Sequence, residues 1–140
     1  MNPEAIFSPL FAMFALTFAV WTYMFARRIP WIQANDLTPE QFRPLEFTRL
    51  QPPEVAAPSD NLKNLFEMPV LFYALVPYLY VTGSVDGVYV GAAWTFVVFR
   101  TLHSVMHCTV NIVPARFGLY LLASLALWFM IGRAALGHLA

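Results

Sequence analysis

Residues 61–107 read NLKNLFEMPVLFYALVPYLYVTGSVDGVYVGAAWTFVVFRTLHSVMH, and this stretch decides the fold. It holds two apolar runs, about 61–82 and about 87–107, each close to the roughly 20 residues a helix needs to cross a bilayer. Only the short segment from Gly83 to Asp86 separates them, which predicts an antiparallel pair of neighbouring helices. Pro69 and Pro77 inside the first run predict a kink, and Ser59 or Asp60 is its expected cap. Gly83, Gly87 and Gly91 recur at four-residue spacing, a pattern that permits a close helix crossing or simply marks a turn. Glu67 lies inside the first run and Arg100 inside the second. Each is costly in hydrocarbon unless another group compensates it.

Helical periodicity gives both charges polar company. Asp60, Lys63, Asn64 and Glu67 share one face at the start of the first run. Arg100, His103, His107 and Asn111 fall in a stripe roughly 80° wide on the second. Neither seam belongs against lipid, so the two are expected to meet, with Glu67 paired to Arg100 or to Lys63.

Working outward, residues 5–26 form an uncharged apolar run followed by Arg27 and Arg28, an order that suits a spanning helix and argues against a cleaved signal peptide. Residues 27–59 turn polar and proline-rich and read as an extramembrane loop. Within it Thr38, Pro39 and Glu40 mark the start of one short helix. A last run covers about 115–137, where Arg116 and Arg133 are able to snorkel to the interfaces. The expected architecture is therefore an all-α integral membrane bundle of four transmembrane helices in a single domain.

Composition agrees. Of 140 residues 59% are hydrophobic and 11% charged, against roughly 25% charged in an average soluble domain. Eight basic side chains balance eight acidic ones, which gives no reason to expect nucleic acid as a partner. The single Cys108 excludes an intramolecular disulfide. Arg27, Arg28, Arg43, Arg49, Lys63 and Arg116 flank the connections on one side, so the long loop is expected in the cytoplasm and both termini outside.

The polar seams admit two readings. In one, they hold the bundle together by interhelical hydrogen bonds worth about 1 kcal/mol each. In the other, they line a cavity open to the cytoplasm where Arg27, Arg28, Lys63, Arg100 and Arg116 receive an anionic ligand. His103 and His107 have metal-ligand spacing with Cys108 adjacent, but lack further placed ligands, so no metal is expected.

Particular segments sharpen the second reading. Ala26-Arg27-Arg28, the stretch from Asp60 through Asn64-Leu-Phe-Glu67 to Pro69, and Phe99-Arg100-Thr-Leu-His103-Ser104 leading to Pro114-Ala-Arg116 resemble the MAPEG family, the membrane-associated proteins in eicosanoid and glutathione metabolism, and within it a poorly characterised bacterial branch. The resemblance spans nearly the whole chain. It implies a four-helix bundle assembled as a homotrimer in a bacterial inner membrane, with glutathione as cosubstrate held between subunits. It further implies that Arg116 stabilises the glutathione thiolate, that Asn64 and Glu67 hold the tripeptide with help from Arg27, Arg28, Lys63, His103 and His107, and that the second substrate is a small lipophilic electrophile or hydroperoxide. Arg100 is then a structural intramembrane charge. The chain departs from the family's Arg-x-x-x-Asn-x-x-Glu pattern in carrying Asp60 at the first position, and it has His107 where active members often have tyrosine. The alternative is a non-catalytic membrane protein that binds another anionic or lipid ligand.

Overall fold

The structure is a computed structural model in which residues 2–139 are described. These residues form α1 (Phe7–Ala34), α2 (Pro44–Leu50), α3 (Pro53–Leu65), α4 (Met68–Val81), α5 (Gly87–Cys108) and α6 (Val113–Leu139), with short 3-10 turns at Pro3–Ile6 and Pro39–Phe42. Three helical stretches are long and apolar enough to cross a membrane: Pro3–Ala34, Pro53–Val81 and Val113–Leu139. The remaining long helix, α5, has 22 residues and carries Arg100, His103 and His107 among its apolar side chains.

Helix occupies more of residues 27–59 than their proline content suggests. α1 continues through Arg27, Arg28 and Pro30 to Ala34, and α3 begins at Pro53, where proline at a first helical position loses no hydrogen bond. The expected short helix is present as two pieces, the turn Pro39–Phe42 followed by α2. Gln41 Oε1 accepts from the Thr38 N–H at 2.8 Å, which closes the start of the first piece.

The helix from 53 to 81 is broken where a kink was expected. α3 stops at Leu65, α4 starts at Met68, and Glu67 between them has φ −98° and ψ −101°. Pro69 explains why the ladder fails here, since it has no N–H for the Leu65 carbonyl and its ring crowds the preceding turn. Pro77 sits inside α4 without ending it. Proline alone is therefore insufficient to end a helix, and at the break a freed carbonyl is taken up by a guanidinium described below.

The core is a contiguous apolar cluster that includes Ile6, Met13, Leu65, Phe72, Val76, Phe96, Leu127 and Met130, all fully buried. α5 pairs most extensively with α6 and also lies close to α1 and α3. Its expected neighbour α4 meets it through side chains, with Phe72 stacked on Phe96 at 4.7 Å. The outward faces are strongly apolar: Phe18 is 67% exposed, Phe117 63% and Val81 82%. A monomeric aqueous surface does not carry so much continuous apolar area, and a membrane protein's surface does.

At the turn between α4 and α5, Gly83 takes φ +66°, a left-handed conformation natural to glycine. A Cβ added at Gly91 would meet nothing within 4 Å, so within the chain this glycine makes no close crossing. Asp86 caps α5 by accepting from the Val88 and Tyr89 N–H groups at 3.1 and 3.0 Å. It also receives Arg133 of α6 in a bidentate pair at 2.8 and 2.5 Å, and that guanidinium lies 4.3 Å from the Tyr89 ring centroid.

Candidate polar site at the α3–α4 break

Arg100 is 0% exposed, and its partner is the backbone rather than a carboxylate. Its Nη2 donates to the Asn64 carbonyl at 2.7 Å. In an uninterrupted helix that carbonyl would accept from the Met68 N–H; at the break it is one of the orphaned acceptors at the negative end of α3. A cation donating to it both satisfies the acceptor and answers the helix dipole. The Tyr120 ring lies 5.5 Å from the guanidinium carbon on another side.

This corrects the expected ion pair. Among the described residues the ion pairs are Arg49–Glu46, Lys63–Asp60 and Arg133–Asp86, so neither Arg100 nor Lys63 pairs with Glu67. Lys63 Nζ instead meets Asp60 Oδ1 at 2.9 Å. Glu67 is exposed, because the break turns it out of the helical face on which it would have met Arg100. An exposed carboxylate carries none of the cost that made it conspicuous in the sequence.

Two adjoining cavities open at this end of the molecule. One, of about 410 Å³, is lined by Asp60, Lys63, Asn64, Glu67, His107, Asn111 and Arg116 together with Pro53 and two alanines of α3. The other, of about 250 Å³, is lined by Asn64, Glu67, His103, Val113, Arg116, Phe117 and Tyr120. Asn64, Glu67 and Arg116 belong to both. The walls thus combine a cation at the start of a long helix, two carboxylates, amides and aromatic surface. Such a mixture suits a polar ligand with an apolar end.

Arg116 is held at two points. Its side-chain Nη1 donates to Asn111 Oδ1 at 2.6 Å, and its backbone carbonyl lies 2.9 Å from His103 Nδ1. A carbonyl only accepts, so His103 carries its proton on Nδ1. Asn111 lies past the end of α5 rather than on its polar stripe, with φ +48° and its N–H donating to the Met106 carbonyl at 2.8 Å. Asparagine tolerates this left-handed position better than most residues, which accounts for its presence at the helix end.

His103 and His107 are both buried, with ring centroids 5.7 Å apart. His103 Nε2, His107 Nδ1 and the Nε and Nη1 of Arg100 have no hydrogen-bond partner within the chain. Among the described residues no group of three or more His, Cys, Asp or Glu side chains is placed to hold a metal ion. Arg27 and Arg28 stand apart from both cavities. Arg27 is exposed, while Arg28 Nη2 donates to Ser59 Oγ at 2.6 Å and its guanidinium carbon lies 5.5 Å from the Phe47 ring centroid, tying α1 to α3 and α2.

Sequence reasoning gave no role to Tyr120 or to Asn61. Tyr120 follows Arg116 by four residues and so shares its helical face, a signal available in the sequence. Asn61 is fully buried; its Oδ1 accepts from Ser104 Oγ at 3.3 Å and its Nδ2 donates to Cys108 Sγ at 3.5 Å, joining α3 to α5. Nothing in its spacing separates it from the polar residues around it.

A family model described as MAPEG family matches residues 6–136. No curated protein and no solved structure matches the chain.

Proposed function

The chain belongs to the MAPEG family, and from that membership and the polar cavities we propose that it is a glutathione-dependent membrane transferase or peroxidase. Its second substrate is a small lipophilic electrophile or hydroperoxide. The observation that carries this reading is the position of Arg116 on both cavities, in the first turn of a 27-residue helix. The positive end of the helix dipole and the guanidinium together favour an anion there. With a thiol bound, that field favours release of the S–H proton to water and leaves a thiolate. The thiolate sulfur then bonds to the electrophilic centre arriving from the bilayer as that centre's leaving group departs. With a hydroperoxide it takes the terminal oxygen as the O–O bond breaks, and the alkoxide leaves to be protonated by water.

Asn64 and Glu67 supply amide and carboxylate contacts to the peptide part, and His107 forms part of the same cavity wall. Four membrane-spanning helices, α1, the broken α3–α4 unit, α5 and α6, accommodate this site. We further propose that three copies assemble, so that a neighbouring subunit closes the open side of each cavity and brings cations such as Arg27 to it. The loop between α1 and α3 is assigned to the cytoplasm, both termini to the outside and the protein to a bacterial inner membrane.

Thermal unfolding of the detergent-solubilised protein tests the proposal. Millimolar glutathione raises the midpoint by several degrees, and Arg116→Ala abolishes conjugation while leaving the fold intact. No shift at saturating glutathione rejects it. One observation favours a second reading, a non-catalytic protein for another anionic or lipid ligand: Lys63, the cation nearest the family's missing arginine, is engaged by Asp60. On that reading Asn64→Ala and Arg116→Ala leave cellular function unchanged.

A further inference from the structure

We infer that Asn111 is a positioning residue for Arg116, aiming its guanidinium across the cavity mouth. This inference rests on the reading of Arg116 as the thiolate-stabilising cation. Arginine has a long side chain whose rotamer freedom is costly to restrict, and a freely swinging cation makes a poor electrostatic catalyst. Here one side-chain oxygen restricts it, at 2.6 Å from Nη1.

The oxygen is itself well fixed. The Asn111 backbone sits in the left-handed region, and its N–H is engaged by the Met106 carbonyl at the end of α5. From the other direction His103 of α5 donates to the Arg116 backbone carbonyl at 2.9 Å. Both ends of Arg116 are therefore referenced to α5, the helix that also carries His107 onto the cavity wall. The bond uses one of the five guanidinium N–H donors and leaves the others for a ligand. A residue needed only to end α5 would require the left-handed backbone and no side-chain acceptor.

That difference sets the test. Asn111→Gly keeps the left-handed backbone and deletes the acceptor, whereas Asn111→Asp keeps both. In the full-length solubilised protein, modification of Arg116 by phenylglyoxal is followed by peptide mass spectrometry. Asn111→Gly accelerates it about tenfold, as expected for release of one hydrogen bond to a charged group, and Asn111→Asp returns it to the wild-type rate or below. In parallel, the ultraviolet absorbance of bound glutathione thiolate is titrated. Its midpoint moves up by about one pH unit in Asn111→Gly, because a less well placed cation stabilises the thiolate less. A wild-type modification rate in Asn111→Gly overturns the inference. The phenylglyoxal arm needs no glutathione, so absence of thiolate absorbance in the wild type counts against the glutathione reading alone.

Discussion

At Arg100 the difference between a charge and a hydrogen-bond donor becomes measurable. Read as a charge in an apolar helix, it demands a carboxylate, and Glu67 is the nearest in the pattern. Placed in three dimensions, it caps the α3 carbonyl of Asn64 and lies near Tyr120. Replacing it with leucine leaves that carbonyl unsatisfied in the interior and is expected to cost about 1–3 kcal/mol in chemical unfolding. Glu67→Gln, at an exposed position, is expected to change stability by less than about 0.5 kcal/mol. The double-mutant cycle follows the same logic. A coupling below about 1 kcal/mol agrees with separate roles, and a coupling of about 3–5 kcal/mol would restore a buried ion pair.

The element that builds the site is the interrupted helix 53–81. A straight helix would keep Glu67 beside Asn64 on one stripe and would consume the Asn64 carbonyl internally. The break frees that carbonyl for Arg100 and turns Glu67 outward to the mouth of both cavities. Pro69 occupies the second position of α4, where proline is tolerated, so Pro69→Ala is expected to alter global stability by only about 1 kcal/mol. Its effect on the site is larger, because a restored N–H permits α3 and α4 to fuse and retracts Glu67. The expected outcome is a folded protein whose glutathione-induced thermal shift is lost; an undiminished shift would show that the break is incidental to binding. Pro69 was legible in the sequence as a disturbance. Its severity was not, because Pro77 has the same covalent chemistry and leaves α4 intact, whereas at the Pro69 break a guanidinium from another helix takes up the freed Asn64 carbonyl.

Across the whole molecule the two ends are held by different chemistry. At the cavity end α5 is tied to α6 through His103 and to α3 through Arg100 and Ser104. At the other end Asp86 joins the start of α5 to Arg133 near the end of α6. The Arg133 hydrogen bonds, followed by that from the Tyr89 N–H, hold the Asp86 carboxyl down at about 2, below its ordinary 3.8. A depressed carboxylate stabilises the folded state above its unfolded pKa and loses that contribution as pH falls toward the folded value. The wild type is therefore expected to exceed Asp86→Asn in thermal midpoint near neutrality, and the gap to close between about pH 4 and pH 2. Because both side chains are partly exposed, added salt should also narrow the gap. A gap independent of pH would show that the carboxylate's charge contributes nothing to stability at this position.

Run length, apolar content and the placement of proline and arginine are properties of the chain read along one dimension. They were enough for an all-helical membrane protein and for the segments that carry the polar residues, because hydrocarbon tolerates so few alternatives; the family was legible only through the resemblance of particular motifs. Which polar groups meet is a property of three dimensions. The pairing of Arg100 with a carbonyl and of Arg116 with Asn111 depended on where the helix breaks and how the α5–α6 turn folds. A displacement of one residue around a helix moves a side chain by about 100°, more than separates an ion pair from an exposed carboxylate. Only the packed structure resolves that angle.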